Sequence, residues 1–287
     1  MMWTESDVVI DGVRIHHYRR GEGPPVVLAH GSMDSGPCWN RVAEALQTDF
    51  ELIAYDARSH GLSDASEEWG DGGRDMIAFV EALGIERPAA MGHSMGASAT
   101  AAAIAARPDL FRAAVLEDPP WMPEATKDDW KARARMQQSF LAMLDGTKDE
   151  IAARGRKYNP MWHPEEFDAW AESKTQFRPP ESWTKRFTQQ RPPWQDPVKK
   201  FECPVLLVRG GNALRGRIVS LETAAEAQEI YPRWRLSHST KPATTCAAKP
   251  TTTTSPRCAP SYSGTRSESL LQAALSSNAA ARRSRPG

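Results

Sequence analysis

Gly92-His93-Ser94-Met95-Gly96 stands between a strand pattern and a helix pattern. Pro88-Ala89-Ala90-Met91 before it is short and apolar, as a buried strand would be. Residues 97–106 after it are almost all alanine, the residue of highest helix propensity. Strand, tight turn and helix are the context in which G-x-S-x-G makes a nucleophile elbow, with the serine hydroxyl exposed on a strained backbone. Gly92 and Gly96 are expected there because a Cβ at either place would collide with the neighbouring strand or helix. Without that context the pentapeptide would be a Gly/Ser turn with no chemistry.

Two further motifs argue for the elbow. In Val26-Val27-Leu28-Ala29-His30-Gly31-Ser32 an apolar strand runs into His-Gly and a turn carrying Ser32, Ser35, Gly36 and Pro37. Asp56-Ala57-Arg58-Ser59-His60-Gly61-Leu62-Ser63 follows a second strand-like run at residues 50–55. In this order the three motifs resemble the α/β-hydrolase family, over residues 8–118 and more weakly over 203–236. The resemblance implies a doubly wound, mostly parallel sheet with a helical cap inserted after the sixth strand. It implies Ser94 as nucleophile and the N–H groups of Ser32 and Met95 as the oxyanion hole. It makes His30 a structural residue, and Asp56, Arg58 and Gly61 scaffold, with Arg58 tying loops together.

The periodicity along the chain agrees with an α/β class. Residues 8–18 read as two strands around Asp11-Gly12, a hairpin signal. Strand patterns at 26–29, 50–55, 88–91 and 112–117 alternate with helical patterns at 39–46, 74–83 and 97–106. In parallel sheets ligands bind beyond the carboxyl ends of the strands, where all three motifs fall. Residues 119–200 change character: Trp121, Trp130, Trp162, Trp170, Trp183 and Trp194 crowd among prolines, with helical patterns at 127–144 and 164–174. This is the expected cap. Most of its tryptophans are expected to pack within it and one or two to face the pocket, Trp121 among them, beside His93 of the elbow. Strand 201–209, helix 223–230 and strand 233–236 return to the sheet. The expected division is core 1–118, cap 119–200, core 201–238 and a tail 239–287.

The composition breaks at the last boundary. From Ser239 onward there is no Asp, Val, Ile, Phe, Met or Trp and one Glu, which is the composition of a disordered tail. The break falls where the family would begin its histidine-bearing loop. Restoring one lost base before the codons of residues 240–246 permits Asp-Glu-Ala-Gly-His-Asn-Met, which looks like the family's x-x-x-G-H segment, with the histidine at Thr244. The tail therefore reads as a frameshift; a native disordered tail is the alternative.

A serine hydroxyl needs a base to take its proton. None of the histidines at 16, 17, 30, 60, 93 and 163 is a natural base, and His238 precedes the expected position by several residues. The acid that holds the base usually follows the seventh strand, where Asn212 stands without a carboxylate nearby. Some family members place it after the sixth strand, the position of Asp118, which would otherwise be a turn cap before Pro119. The resulting expectation is a serine hydrolase acting on an ester, lactone or related carbonyl compound through an acyl-enzyme. Carbon–carbon bond hydrolysis shares the constellation. The rival is an impaired or non-catalytic protein that holds a small ligand under the cap.

Lys plus Arg number 36 and Asp plus Glu 36, so no whole-chain field invites nucleic acid or an anionic membrane. No signal peptide or spanning segment is visible, which points to the cytoplasm. A small-molecule substrate is the only partner expected, and neither a metal nor an organic cofactor is implied. Cys38 and Cys203 are isolated and read as small packing residues.

Overall fold

The alternating patterns resolve into one sheet in the computed structural model, which describes residues 2–67, 70–122, 130–187, 192–210, 218–233 and 235–239, with the backbone alone at 130–133, 185–187 and 235–239. The described strands are β1 (Thr4–Ile10), β2 (Val13–Arg20), β3 (Pro25–Ala29), β4 (Glu51–Tyr55), β5 (Ala89–His93), β6 (Ala113–Glu117), β7 (Val205–Gly210) and β8 (Arg235–Ser239). Their order is β1-β2-β4-β3-β5-β6-β7-β8. β1 and β2 form the antiparallel edge, and β3 to β8 run parallel. The hairpin turn has Asp11 at φ 49° and Gly12 at φ 78°, the pair of positive angles that a two-residue type I′ turn requires.

Period-two alternation is apolar on both faces. Val27, Ile53, Ala90, Ala114 and Leu207 face one side, and Val26, Leu28, Leu52, Met91, Val115 and Leu206 the other. This is the pattern of a parallel sheet covered by helices on both sides. On the second side, α1 (Asn40–Leu46) supplies Val42, Ala43 and Leu46. On the first side lie α2 (Gly72–Ala82) and α3 (Met95–Ala106). The alanines of α3 do more than favour the helix. Gly73 of α2 comes so near that a Cβ there would stand 2.6 Å from the Ala102 Cβ, so larger side chains would push the two helices apart. The start of α2 is capped by Asp71, whose carboxylate accepts from Gly73 and Arg74 N–H.

Between β6 and β7, where the cap is expected, the described elements are α4 (Trp130–Met143), α5 (Lys148–Tyr158) and α6 (Glu166–Thr175), followed by a 3-10 turn at Glu181–Phe187. α5 lacks an apolar stripe and was not legible as a helix. It starts at a capping box in which Thr147 and Glu150 satisfy each other's backbone N–H, and it buries Ile151, Ala152 and Gly155. Gly155 allows the Trp170 ring of α6 close approach, within a cluster with Trp162, Phe167 and Ala171. The ends of the insertion belong to the main core. Trp121 at its entry stacks on Trp194 at its exit, with ring centroids 5.0 Å apart. Both join the cluster that includes Val198 of α7 (Gln195–Val198) and Ala224 and Ala227 of α8 (Leu221–Ile230). The expected tail lies outside the described residues beyond Ser239. Among the described residues no helix is long and apolar enough to cross a membrane.

His17 gives the fold a pH signature. Its ring lies edge-on to Phe79, 5.5 Å away, and is buried. Burial, with Arg19 and His16 adding and Asp7 opposing, pulls its pKa down to about 4. The unfolded chain then takes up this proton near pH 6.5 and the folded chain near 4. His17 thus contributes a stability that is complete above pH 6.5 and is lost as the pH falls towards 4. Urea midpoints measured from pH 7 to 4.5 should fall less steeply for His17→Phe than for the parent; parallel curves would contradict this.

Candidate active site

β5 ends at His93 and α3 begins at Met95, leaving one residue to reverse the chain. That residue is Ser94, at φ 49° and ψ −109°. An L-residue adopts such a conformation only when its surroundings over-determine it. Two contacts do so here. A Cβ on Gly96 would run into the Ala29 carbonyl of β3, and one on Gly92 into the Gly96 carbonyl, so α3 descends almost onto the strands. The Ser94 N–H is held by the Glu117 carbonyl of β6 at 2.8 Å.

Ser94 is partly exposed and opens into a cavity of about 580 Å³. Ser32 and Met95, the two residues expected to form the oxyanion hole, line the same cavity. Its apolar wall comes from Met122, Met136, Phe140 and Ile218. His30 and His60 also reach it, but both rings serve the scaffold. His30 Nδ1 donates to the Gly31 carbonyl at 2.7 Å, and its Nε2 accepts from Ala57 N–H at 3.0 Å. Burial lowers the His30 pKa, keeping the ring neutral. His60 Nδ1 donates to the Arg58 carbonyl at 2.8 Å. Asp56 is the hub of this scaffold, accepting from Gly36 N–H, Leu62 N–H and the Tyr18 hydroxyl. Arg58 ties the loop to α2 and to the hairpin by donating to Asp75 at 2.8 Å and to the Ile10 carbonyl at 3.2 Å.

Asp118 follows β6 at φ 43° and is buried. Its two carboxylate oxygens accept from Ile218 and Val219 N–H, each at 3.0 Å. Burial raises its pKa against those two hydrogen bonds and the nearby His93 and Arg209. The carboxylate therefore caps the segment that enters α8, a bond the sequence did not reveal; Ile218 lines the cavity, whereas Asp118 is absent from the described lining. Asn212 lies outside the described residues. The backbone of His238 is in β8, opposite Arg209.

Two expected pocket residues need correction. Trp121 is not on the cavity wall: its stacking on Trp194 turns the indole into the core, and its neighbours Pro120 and Met122 face the cavity instead. His93 is buried behind the elbow, with Nδ1 3.9 Å from Asp34 Oδ2, and is absent from the described lining. The described cap tryptophans Trp162, Trp170, Trp183 and Trp194 do not line the cavity either; methionines and Phe140 do. Asp34 and Lys174, which carry no sequence motif, form a buried ion pair at 2.5 Å at the turn that follows Ser32. No local pattern links two residues so far apart in the chain.

Comparison with known proteins agrees with this geometry. An epoxide hydrolase of Caballeronia sordidicola is 29% identical over 141 residues, 47% of this chain and 42% of that protein. The 2-(acetamidomethylene)succinate hydrolase of Mesorhizobium japonicum is 28% identical over 151 residues, 51% of this chain and 54% of that protein. The matched stretches thus span about half the length of these curated relatives. The crystal structure of an E-2-(acetamidomethylene)succinate hydrolase superposes with a TM-score of 0.68 at 22% identity, covering 84% of this chain and 91% of that one. At that identity the likeness is one of fold. Residues 26–245 match the sequence pattern of the alpha/beta hydrolase family. With the sheet order, the elbow and that match in agreement, this chain belongs to the alpha/beta hydrolase family.

Proposed function

We propose that this protein is a serine-nucleophile hydrolase of esters, lactones or related carbonyl compounds, working through an acyl-enzyme. The observation that carries the reading is Ser94 at φ 49° on a strand-to-helix turn, open to a cavity that Ser32 and Met95 share. The Ser94 hydroxyl attacks the carbonyl carbon, and its proton passes to the base. Negative charge gathers on the carbonyl oxygen, where preorganised N–H groups of Ser32 and Met95 stabilise it. The leaving group departs with a proton, and water releases the acyl group by the same steps in reverse. Asp118 is the candidate for the carboxylate that orients and stabilises the base. One relative is an epoxide hydrolase by name; the serine at the elbow, Ser94, favours attack on a carbonyl through an acyl-enzyme here.

The base comes, in this reading, from the loop after β8 in the frame that one restored nucleotide would recover, with the histidine at Thr244. His238 is the weaker candidate. One observation favours the second reading, a catalytically impaired protein: both described histidines on the cavity wall, His30 and His60, are bonded to main-chain groups. As written, the chain should hydrolyse p-nitrophenyl esters slowly. The frame-restored chain should turn over faster by roughly 10⁶, about what a complete triad loses with its histidine, while the chain without a base keeps only the roughly 10³ to 10⁴ over water that the oxyanion hole and binding supply. Equal rates would assign the base to a residue already present, His238 first.

Within the frame-restored enzyme, a fluorophosphonate probe should label Ser94, and Ser94→Ala should abolish the label. Undiminished labelling of Ser94→Ala would overturn the nucleophile assignment. Asp118→Asn should lower turnover by about 10³ to 10⁴, as a lost tautomer constraint does. Turnover near the parent rate would place the acid elsewhere.

A further inference from the structure

Behind the turn that presents Ser32, a lysine from the cap is buried against the core. Lys174 lies in the last turn of α6, its side chain 1% exposed, and donates to Asp34 Oδ1 at 2.5 Å, to the Met33 carbonyl at 3.2 Å and to Ser173 Oγ at 3.2 Å. Its ammonium also stands 4.6 Å from the centre of the Trp170 ring. Desolvating both charges is costly, and a buried pair is weak evidence of stability. The position of the pair is more informative than its strength.

Residues 31–34 form a tight turn closed by Asp34 N–H to the Gly31 carbonyl at 3.1 Å. Met33 in that turn has φ 64°, a left-handed conformation that an unbranched L-residue holds only under constraint. The cap supplies the constraint twice. Phe177 and Trp183 pack on the Met33 side chain, and Lys174 takes its carbonyl. Gly31 is pressed between His93 and Asp34: a Cβ there would stand 2.6 Å from His93 Nδ1 and 2.7 Å from Asp34 Oδ2. Ser32 is the one residue of the turn that faces the cavity.

We propose that Lys174 is a positioning residue for the oxyanion hole, fixing the N–H of Ser32 through its bonds to the Met33 carbonyl and to Asp34. The inference rests on the serine-hydrolase reading above. Neither Lys174 nor Asp34 lines the cavity, so neither touches substrate. Burial opposes the Asp34 charge, but the Lys174 ammonium beside it holds the Asp34 pKa below the usual carboxylate value. A second buried pair, Arg41 with Glu166 at 3.3 Å, fixes the other end of α6 to the start of α1. The cap helix is therefore a brace on the turn, and Ser32 is correctly placed only while α6 is docked.

A test on the full 287-residue chain needs no catalytic base. Hexylboronic acid adds to the Ser94 hydroxyl: an O–B bond forms, the hydroxyl proton goes to solvent, and a boronate oxygen occupies the oxyanion position. Hexanamide occupies the same cavity without that charge. Titration calorimetry of both ligands should show a boronate preference in the parent that Ser94→Ala abolishes. In Asp34→Leu/Lys174→Met, where both charges leave together and folding is spared the orphaned partner, boronate should weaken by roughly tenfold or more, as for a misplaced oxyanion donor. Amide affinity should stay within about twofold, because uniform binding does not sense the turn. Lys174→Met alone should lose the boronate preference as well. A parent without that preference overturns the nucleophile reading and this inference with it. A parent that has it, with a folded double variant that keeps it, overturns the inference alone.

Discussion

The close approach of α3 to β3 and β5 is the constraint on which the site depends. Only hydrogen fits at Gly92 and Gly96, so the helix starts almost in contact with the Ala29 carbonyl. The chain between strand and helix is then too short for an ordinary turn, and Ser94 takes φ 49°. Strain and exposure have the same origin. The strained residue opens into the cavity, and Met95 in the first turn of α3 lines the same cavity. The parallel strands around it, packed on both faces by side chains each contributing roughly 1.5–3 kcal/mol when fully buried, keep that turn from relaxing.

The other half of the site is built by a long-range device. The β3 turn carries a second non-glycine residue at positive φ, Met33, and nothing within the turn's own sequence would hold it there. The cap does so, with Lys174 on its carbonyl and two aromatic rings on its side chain. The core and the cap are also sewn together where Trp121 and Trp194 stack at the two stems of the insertion.

Much of the core was legible because its signals are local. The strand at 26–29, the elbow, the alanine helix and the Asp11-Gly12 turn each follow from period, propensity or a required positive φ within a few residues. Helix ends were less so: α2 begins two residues before the expected 74, because Asp71 caps it and Gly72 and Gly73 fit against α3. α5 has no legible apolar stripe because only Ile151, Ala152 and Gly155 are buried and most of its sequence is charged; Thr147 and Glu150, the two ends of a capping box, were the available signal. Trp121 was misplaced because a tryptophan near a pocket motif gives no hint of which side of the chain it occupies. The Asp34–Lys174 pair has a separation of 140 residues and no pattern to betray it. Buried charges chosen for each other across a fold are visible only in three dimensions.

In the proposed reaction Ser94 carries the acyl group between the two halves. The most direct measurement is peptide mapping by mass spectrometry of the frame-restored chain, quenched in acid during turnover of a p-nitrophenyl ester. An acyl group is expected on the peptide that contains residues 92–96, located at Ser94 by fragmentation. Steady turnover with no covalent species, or with the acyl group on another residue, would contradict it.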